Sequence, residues 1–189
     1  DGNVQLREGT DQMKKKIILG IVVLLALVCL LSSIYTVEEN QYACTVRFSK
    51  IIHTTQTPGL HFKVPFLDSV KYFPKAMMLY DIPPSEVLTS DKQNMTVDNY
   101  ILWRVSDPLL FYQSLGSTVV AEERLNALTY NTLKTVMGTL SQADIINMDD
   151  ASERNEIYAG IASSVNTLAQ NYGIEVVDVK IKRFDLPEA

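Results

Sequence analysis

Apolar residues fill the chain without interruption from Ile17 to Leu31, directly after three lysines. Extended through Val37, the segment has about 21 residues and spans roughly 31 Å as a helix, enough to cross the hydrocarbon core of a bilayer. It contains no charge and no proline, so a helix can satisfy all of its backbone hydrogen bonds in lipid. The pattern predicts a single transmembrane anchor over residues 14–37, preceded by a tail (1–13) that is disordered over 1–12.

The charges at the two ends of this segment predict its orientation. Lysines favour the cytoplasmic side, which leaves the N-terminus inside and the main domain outside the cytoplasm. A cleaved signal peptide is the alternative, but no small-residue cleavage site follows the segment. The topology signal consists of Lys14, Lys15 and Lys16, and the anchor residues are Ile17, Ile21, Leu24, Leu27, Leu31 and Ile34.

Alternation with a period of two follows the anchor and predicts strands over 42–48, 60–66, 69–73, 76–81 and 95–105. Pro58–Gly59 is expected to form a turn, and Pro83–Pro84 to interrupt the chain again. Two interpretations stand for the segment from Leu60 to Leu67. The favoured one buries the alternating face in the core. The other lets its tip enter the outer leaflet, as phenylalanines beside a lysine would allow. The core interpretation applies to Leu60, Phe62 and Val64, and the candidate outer-leaflet contacts are Phe62, Pro65, Phe66 and Leu67.

Helical spacing replaces the alternation in the second half of the chain. Asp107–Pro108 has the residue types of a helix start, and helices are predicted over 120–140 and 150–172. A capping box over 141–144 begins a short helix, and Gly173 is expected to end the last one. A final strand over 174–182 is expected to place Val177, Val179 and Ile181 on one face. The predicted fold is α+β, an antiparallel-leaning sheet with helices packed on one face.

Composition narrows the class of protein. The chain of 189 residues is long enough for one domain after the anchor. Its net charge of −5 argues against a nucleic-acid partner. Cys29 lies in the anchor and Cys44 beyond it, so they cannot pair within one chain. Cys44 is expected to be a small buried side chain, because it lies at an apolar position of the alternation.

No motif for catalysis is present, so we expect no enzyme activity, no cofactor and no small-molecule substrate. His53 and His61 lack the partners of a metal site. The acidic pairs Glu122–Glu123 and Asp149–Asp150 are expected at helix starts, where they complement the helix dipole. Three basic residues of the last strand are expected to form a solvated face, the alternative being an edge toward a neighbouring subunit. They are Lys180, Lys182 and Arg183.

Several motifs in sequence order resemble one family. They are PGLHFKVPFL at 58–67, RFSK at 47–50, VDNYILWRVSD at 97–107 and GIEVVDVKIKRFDLP at 173–187. Together they resemble the SPFH (band 7, stomatin/prohibitin) family, and within it the bacterial HflC branch. Ser49 stands where the family usually has glycine.

The resemblance implies an SPFH domain over 38–186, with residues 187–189 beginning a C-terminal helix. It implies a non-catalytic scaffold in the bacterial inner membrane that self-associates, assembles with an HflK-like subunit and modulates an FtsH-type protease. Two alternatives stay open: a stomatin-like organiser of membrane microdomains, and a membrane-tethered hydrolase with an unrecognised site. The proline-free anchor argues against the hairpin insertion of stomatin-like relatives.

Overall fold

The apolar segment forms the second half of one helix, α1 (Gly2–Ser32), in a computed structural model that describes residues 2–146 and 151–185. Side chains are described for 15–145 and 155–185. Residues 2–12, which we predicted to be disordered, are helical. They contain no proline, and adding a residue to an existing helix forms one hydrogen bond without a new nucleation step.

The helix ends at Ser32, so the predicted anchor through Val37 is too long. Residues 34–37 form a strand instead, and the predicted anchor residue Ile34 belongs to it. Ser33 donates its hydroxyl to the carbonyl oxygen of Cys29 at 2.8 Å, and the β-branched Ile34, Thr36 and Val37 favour an extended backbone. The stretch long and apolar enough to cross a membrane is Lys15–Ser32, 18 residues, about 27 Å of helix.

In the described residues 2–146 and 151–185, eight strands pair in three small sheets, and every pairing there is antiparallel. The first sheet pairs β1 (Ile34–Val37) with β4 (Gly59–Phe62); the second has β2 (Gln41–Arg47) between β3 (Lys50–Thr55) and β5 (Asp68–Pro74); the third has β7 (Asn94–Val105) between β6 (Met78–Leu88) and β8 (Ile174–Asp185). The described helices after α1 are α2 (Pro108–Ser114), α3 (Thr118–Met137), α4 (Gln142–Ile146) and α5 (Ala151–Ala169), the last followed by a 3₁₀ turn (Gln170–Tyr172).

The predicted helix ends are confirmed where polar side chains cap them. Asp107 accepts hydrogen bonds from the backbone of Leu109 and Leu110 at 2.9 and 3.0 Å. Ser141 and Asp144 bond reciprocally, as a capping box does. Gly173 ends the 3₁₀ turn in the left-handed conformation, with φ 72°. These bonds satisfy backbone groups that every helix end leaves unpaired.

The main core lies between the third sheet and helices α3 and α5, as the α+β prediction requires. Trp103 of β7 is fully buried and stacks on Phe111 of α2, with ring centroids 6.4 Å apart. Phe73 of β5 meets the edge of Phe111 at 5.2 Å, which joins the second sheet to the same core. Cys44 is also buried there, as predicted.

Two predictions about the third sheet are wrong. Pro83–Pro84 does not end a strand, because β6 continues through it while its register against β7 shifts between Ile82 and Ser85. A prolyl residue has no N–H to donate, and an edge strand with a bulge tolerates that loss. Val177 is exposed rather than on the buried face, since the register of β8 shifts opposite Leu102 and Trp103.

One prediction about the helices is also wrong. Helix α3 begins at Thr118, so Glu122 and Glu123 lie in its second turn and its first turn has no acidic residue. The sequence pattern placed the helix start too late because the capping residue Ser117, which accepts from the backbone N–H of Val120, lies outside the apolar periodicity. Asp149–Asp150 and residues 187–189 lie outside the described residues.

Candidate membrane-contact site

Helix α1 leads directly into the first sheet. Only Ser33 separates α1 from β1, and the backbone N–H of Lys63 donates to the carbonyl oxygen of Ser33 at 2.7 Å. In the ladder, Ile34 is opposite Phe62. The C-terminal end of β4 is therefore fixed beside the point where α1 joins the domain.

The second sheet has one of its turns, between β2 and β3, at the end of the domain nearest α1. The Tyr35 hydroxyl lies 3.2 Å from Oγ1 of Thr55 and 3.5 Å from Oγ1 of Thr45, which aligns β1 with β2 and β3. Since β1 runs away from α1 and β2 returns toward it, the β2–β3 turn lies on the side of α1. Arg47 at this turn binds both carboxylate oxygens of Asp68, at 2.6 and 3.0 Å.

Large apolar side chains project into solvent at this end of the domain. Phe48, Phe62 and Phe66 are 82%, 78% and 85% exposed, the highest values among the exposed large hydrophobic residues of the described chain. We name this group the apolar rim; it consists of Phe48, Phe62, Val64, Phe66 and Leu67. Contiguous exposed apolar groups on one side of a domain indicate a protein or membrane contact.

The favoured core interpretation of the segment after the Pro-Gly turn is therefore wrong. Leu60 and Phe62 are exposed, because among the described strands β4 pairs only with β1 and no described element covers that face of the sheet. Val64 follows the end of β4 at Phe62 and is exposed in the loop. Of the predicted outer-leaflet residues, Phe62, Phe66 and Leu67 belong to the rim. The ring of Pro65 is half-buried between them.

Phe48 was missed by sequence reasoning. It was assigned to the end of a strand, but Phe48 and Ser49 form the two-residue turn between β2 and β3, with φ of 48° and 64°. Two positive φ values are those of a type I′ turn, which normally uses asparagine or glycine. The departure from glycine at Ser49 marks this turn, and two short strands separated by two residues could have located it.

The aromatic residue of the 64–68 loop, Phe66, also has a backbone conformation that is uncommon for a residue other than glycine. Phe66 has φ 66°. The loop is closed from both sides, because the backbone N–H of Asp68 donates to the carbonyl oxygen of Val64 and the N–H of Val64 donates to the Asp68 carboxylate. Non-glycine residues in this conformation cost free energy, so the surrounding bonds must hold them there.

Asp68 is the residue that links the two parts of the rim. Its side chain is only 3% exposed. The Arg47 guanidinium, by hydrogen bonding, holds the pKa of this carboxyl below its ordinary value; the Val64 N–H and the nearby Lys63 act in the same direction. The ionised form is the one that ties the β2–β3 turn to the 64–68 loop.

The other predicted residues lie apart from the rim. Lys15 and Lys16 are exposed on α1 at the far end of the apolar stretch, and the backbone of Lys14 is helical beside them. His53 lies in the second sheet and His61 in the first, where its ring is 5.7 Å from that of Tyr35. Among the residues with described side chains, no group of three or more His, Cys, Asp or Glu could hold a metal ion.

The basic residues of β8 pair within the chain. Lys182 forms ion pairs with Asp81 of β6 and with Asp98 of β7, the latter at 3.2 Å. Arg183 lies 2.9 Å from Asp185, and Lys180 lies 3.2 Å from Asp178. The face predicted to be solvated is in contact with solvent, but its basic side chains form ion pairs with neighbouring carboxylates and are not free cations.

The fold and this site define a class: an α+β domain on an apolar helix, with exposed aromatic residues at the end nearest that helix. The SPFH domain / Band 7 family model matches residues 35–189. The chain therefore belongs to the SPFH/Band 7 family, as its motifs predicted.

The chain is also similar to named members of one branch of that family. It is 28% identical to the "Modulator of FtsH protease HflC" of Escherichia coli (strain K12), over 93% of this chain and 65% of that protein. It is 30% identical to "Protein HflC" of Haemophilus influenzae, over 92% and 61%, and 31% identical to "Protein HflC" of Treponema pallidum, over 83% and 48%. The chain thus spans about half to two thirds of the length of these relatives.

Proposed function

We propose that this chain is a non-catalytic, membrane-anchored scaffold subunit that oligomerises with an HflK-like partner and regulates an FtsH-type membrane protease. Its similarity to HflC proteins, one of which is named a modulator of that protease, supports the proposal. The observation that carries it is the position of the apolar rim beside the end of α1. A domain attached to a bilayer at two points, its anchor and its rim, would be held close to the membrane surface. It would therefore lie next to a membrane protease.

The proposed topology follows from charge. Lys15 and Lys16 flank the apolar stretch on its N-terminal side, and Glu38 and Glu39 follow β1 on the other side. Lysines next to a span favour the cytoplasmic side. The protein then crosses the bacterial inner membrane once, with its N-terminus in the cytoplasm and the SPFH domain outside.

The rim would enter the outer leaflet in this arrangement. The 18-residue apolar stretch gives about 27 Å of helix, slightly less than a typical hydrocarbon core of about 30 Å. A short span draws its flanking residues toward the bilayer. Burying exposed phenylalanine and leucine side chains in lipid is favourable at about 25 cal/mol per Å² of apolar surface.

Assembly is tested by purifying the full-length protein in mild detergent and measuring its mass and the proteins that accompany it. The proposal expects a particle many times larger than 21.2 kDa that contains an HflK-like subunit and an FtsH-type protease. A monomer without either protein would contradict it. A hydrolytic activity that purifies with the chain and disappears on point substitution would favour the hydrolase instead.

Rim contact is tested separately in the full chain reconstituted into vesicles. Phe48→Trp serves as the reporter, and lipids brominated on their acyl chains quench a tryptophan that touches them. Phe66→Asp together with Leu67→Asp should abolish the quenching, because two carboxylates are costly to bury in the leaflet. Val119→Asp, at an exposed position of α3, is the matched control and should leave quenching unchanged. Equal quenching in both variants would reject the contact.

A further inference from the structure

Positive charge is concentrated beside the apolar rim of a chain that is acidic as a whole. The two segments that form the rim, 47–50 and 62–68, contain Arg47, Lys50, Lys63 and Asp68, a net charge of +2, whereas the whole chain carries −5. An acidic domain without such segregation would be repelled by an anionic bilayer. The net charge is therefore positive at the place where the rim would meet lipid, although the net charge of the whole chain is negative.

Two of these cations are free to bind a ligand. Arg47 is held by Asp68, but within the described side chains, 15–145 and 155–185, neither Lys50 nor Lys63 has an ion-pair partner. The basic residues of β8 differ, since Lys182 is neutralised by Asp81 and Asp98.

The positions of the two lysines suit the level of lipid headgroups. Lys50 follows the Phe48–Ser49 turn directly, and Lys63 is the residue after Phe62. A lysine side chain has a flexible apolar stem with the charge at its end, so it can lie along an inserted aromatic residue and keep its ammonium at the polar boundary. The phosphate of a phospholipid lies at that boundary.

We propose that the apolar rim prefers anionic phospholipids, with Lys50 and Lys63 binding their headgroups while the aromatic side chains enter the leaflet. This inference rests on the membrane contact put forward above and adds the chemistry of its lipid partner. Each lysine near an anionic surface should shift the equilibrium between docked and undocked domain by about fivefold. The preference should weaken as salt rises, because the Debye length shortens and neither lysine is fully buried: Lys50 is exposed and Lys63 is half-buried.

The test uses the full chain with Phe66→Trp as the reporter. The native Trp103 is fully buried and provides a constant background. Quenching by brominated acyl chains is compared between vesicles of phosphatidylcholine alone and vesicles that also contain phosphatidylglycerol. The same comparison is made for Lys50→Gln with Lys63→Gln, and for Lys134→Gln as the matched control. Lys134 is an exposed lysine of α3, and it has no ion pair among the described side chains.

The expected result is stronger quenching with phosphatidylglycerol, loss of that increment in the double variant, and its retention in Lys134→Gln. Equal quenching in both vesicles would overturn the lipid preference while leaving the membrane contact intact. An equal loss in Lys134→Gln would also overturn it, because the effect would then follow total charge. Quenching that never exceeds the Trp103 background would instead reject the membrane contact itself.

Discussion

The sheet β6–β7–β8 and the strand β4 present apolar side chains in the same alternating pattern but to different surroundings. In β7 the buried set includes Val97, Ile101 and Trp103, which helices α3 and α5 and neighbouring elements cover. In β4, Leu60 and Phe62 meet no cover from the described residues 15–145 and 155–185. Alternation therefore identifies an apolar face, and long-range packing decides whether other parts of the chain cover that face.

The largest expected effect comes from shortening one leucine in each region. Leu125→Ala, in the core between α3 and the sheet, should lower the free energy of unfolding by about 2–5 kcal/mol, because a cavity is left. Leu60→Ala, at a position 69% exposed, should change it by less than about 0.5 kcal/mol. Thermal unfolding of the full chain in detergent, followed by circular dichroism, measures both. Similar losses would show that Leu60 is covered after all.

The next effect concerns a glycine that joins β8 to the helical layer. A Cβ on Gly173 would lie 2.4 Å from the Asp107 carbonyl oxygen and 2.7 Å from the Phe111 backbone nitrogen, and φ is already 72°. Gly173→Ala should cost about 2–3 kcal/mol of unfolding free energy.

Gly160 provides the matched control within α5. A Cβ there meets nothing within 4 Å and the backbone is helical. Gly160→Ala should stabilise by about 0.5–1 kcal/mol, so the two substitutions should shift the unfolding temperature in opposite directions. A destabilising Gly160→Ala would mean that this face of α5 is packed.

A smaller loss is expected at the start of α2. Asp107→Ala removes the acceptor for the Leu109 and Leu110 N–H groups and should cost about 1 kcal/mol. Asp107→Asn keeps an accepting oxygen and should restore most of the stability in the same unfolding measurement. If the two variants lose equally, the negative charge rather than the cap is what matters.

The smallest expected effect at neutral pH is that of Asp68→Asn under the rim, since Arg47 is one third exposed and solvent weakens the pair. The pKa of Asp68 in the folded protein lies below its ordinary value of 3.8, chiefly through the Arg47 hydrogen bond. The stabilisation that ionised Asp68 provides is therefore complete above pH 3.8 and is lost as the pH falls through the pKa of Asp68 in the folded protein.

The free energy of unfolding is measured along a pH series for the wild type and for Asp68→Asn. The difference between them isolates the stabilisation due to ionised Asp68, because the other carboxyls titrate equally in each protein. The stability difference between wild type and Asp68→Asn should shrink below pH 3.8. A difference that does not change with pH would remove the ionised carboxylate as the link between the two parts of the rim.

Local chemistry made several helix ends predictable. The caps at Asp107, the 141–144 capping box and Gly173 act within a few residues, so the sequence contains both partners. The continuation of β6 through Pro83–Pro84 was not predictable, because it depends on the register that β7 imposes. The same holds for Val177, whose exposure follows from a register shift against β7.

The candidate site was only partly visible in the sequence. Phe66 and Leu67 were identified because aromatic and apolar residues follow a proline beside a lysine. Phe48 was not, since its role depends on the Arg47–Asp68 pair, which joins residues 21 positions apart.

By itself, the sequence determined the apolar helix, the α+β class and the family, because uninterrupted hydrophobicity, local periodicity and ordered motifs need no knowledge of distant contacts. Only the tertiary structure decided that two loops separated in the chain meet beside the end of α1 and that no described residue covers their aromatic side chains. The physical reason is that burial is a property of pairs of surfaces, and the chain sequence specifies each surface without specifying what lies opposite it.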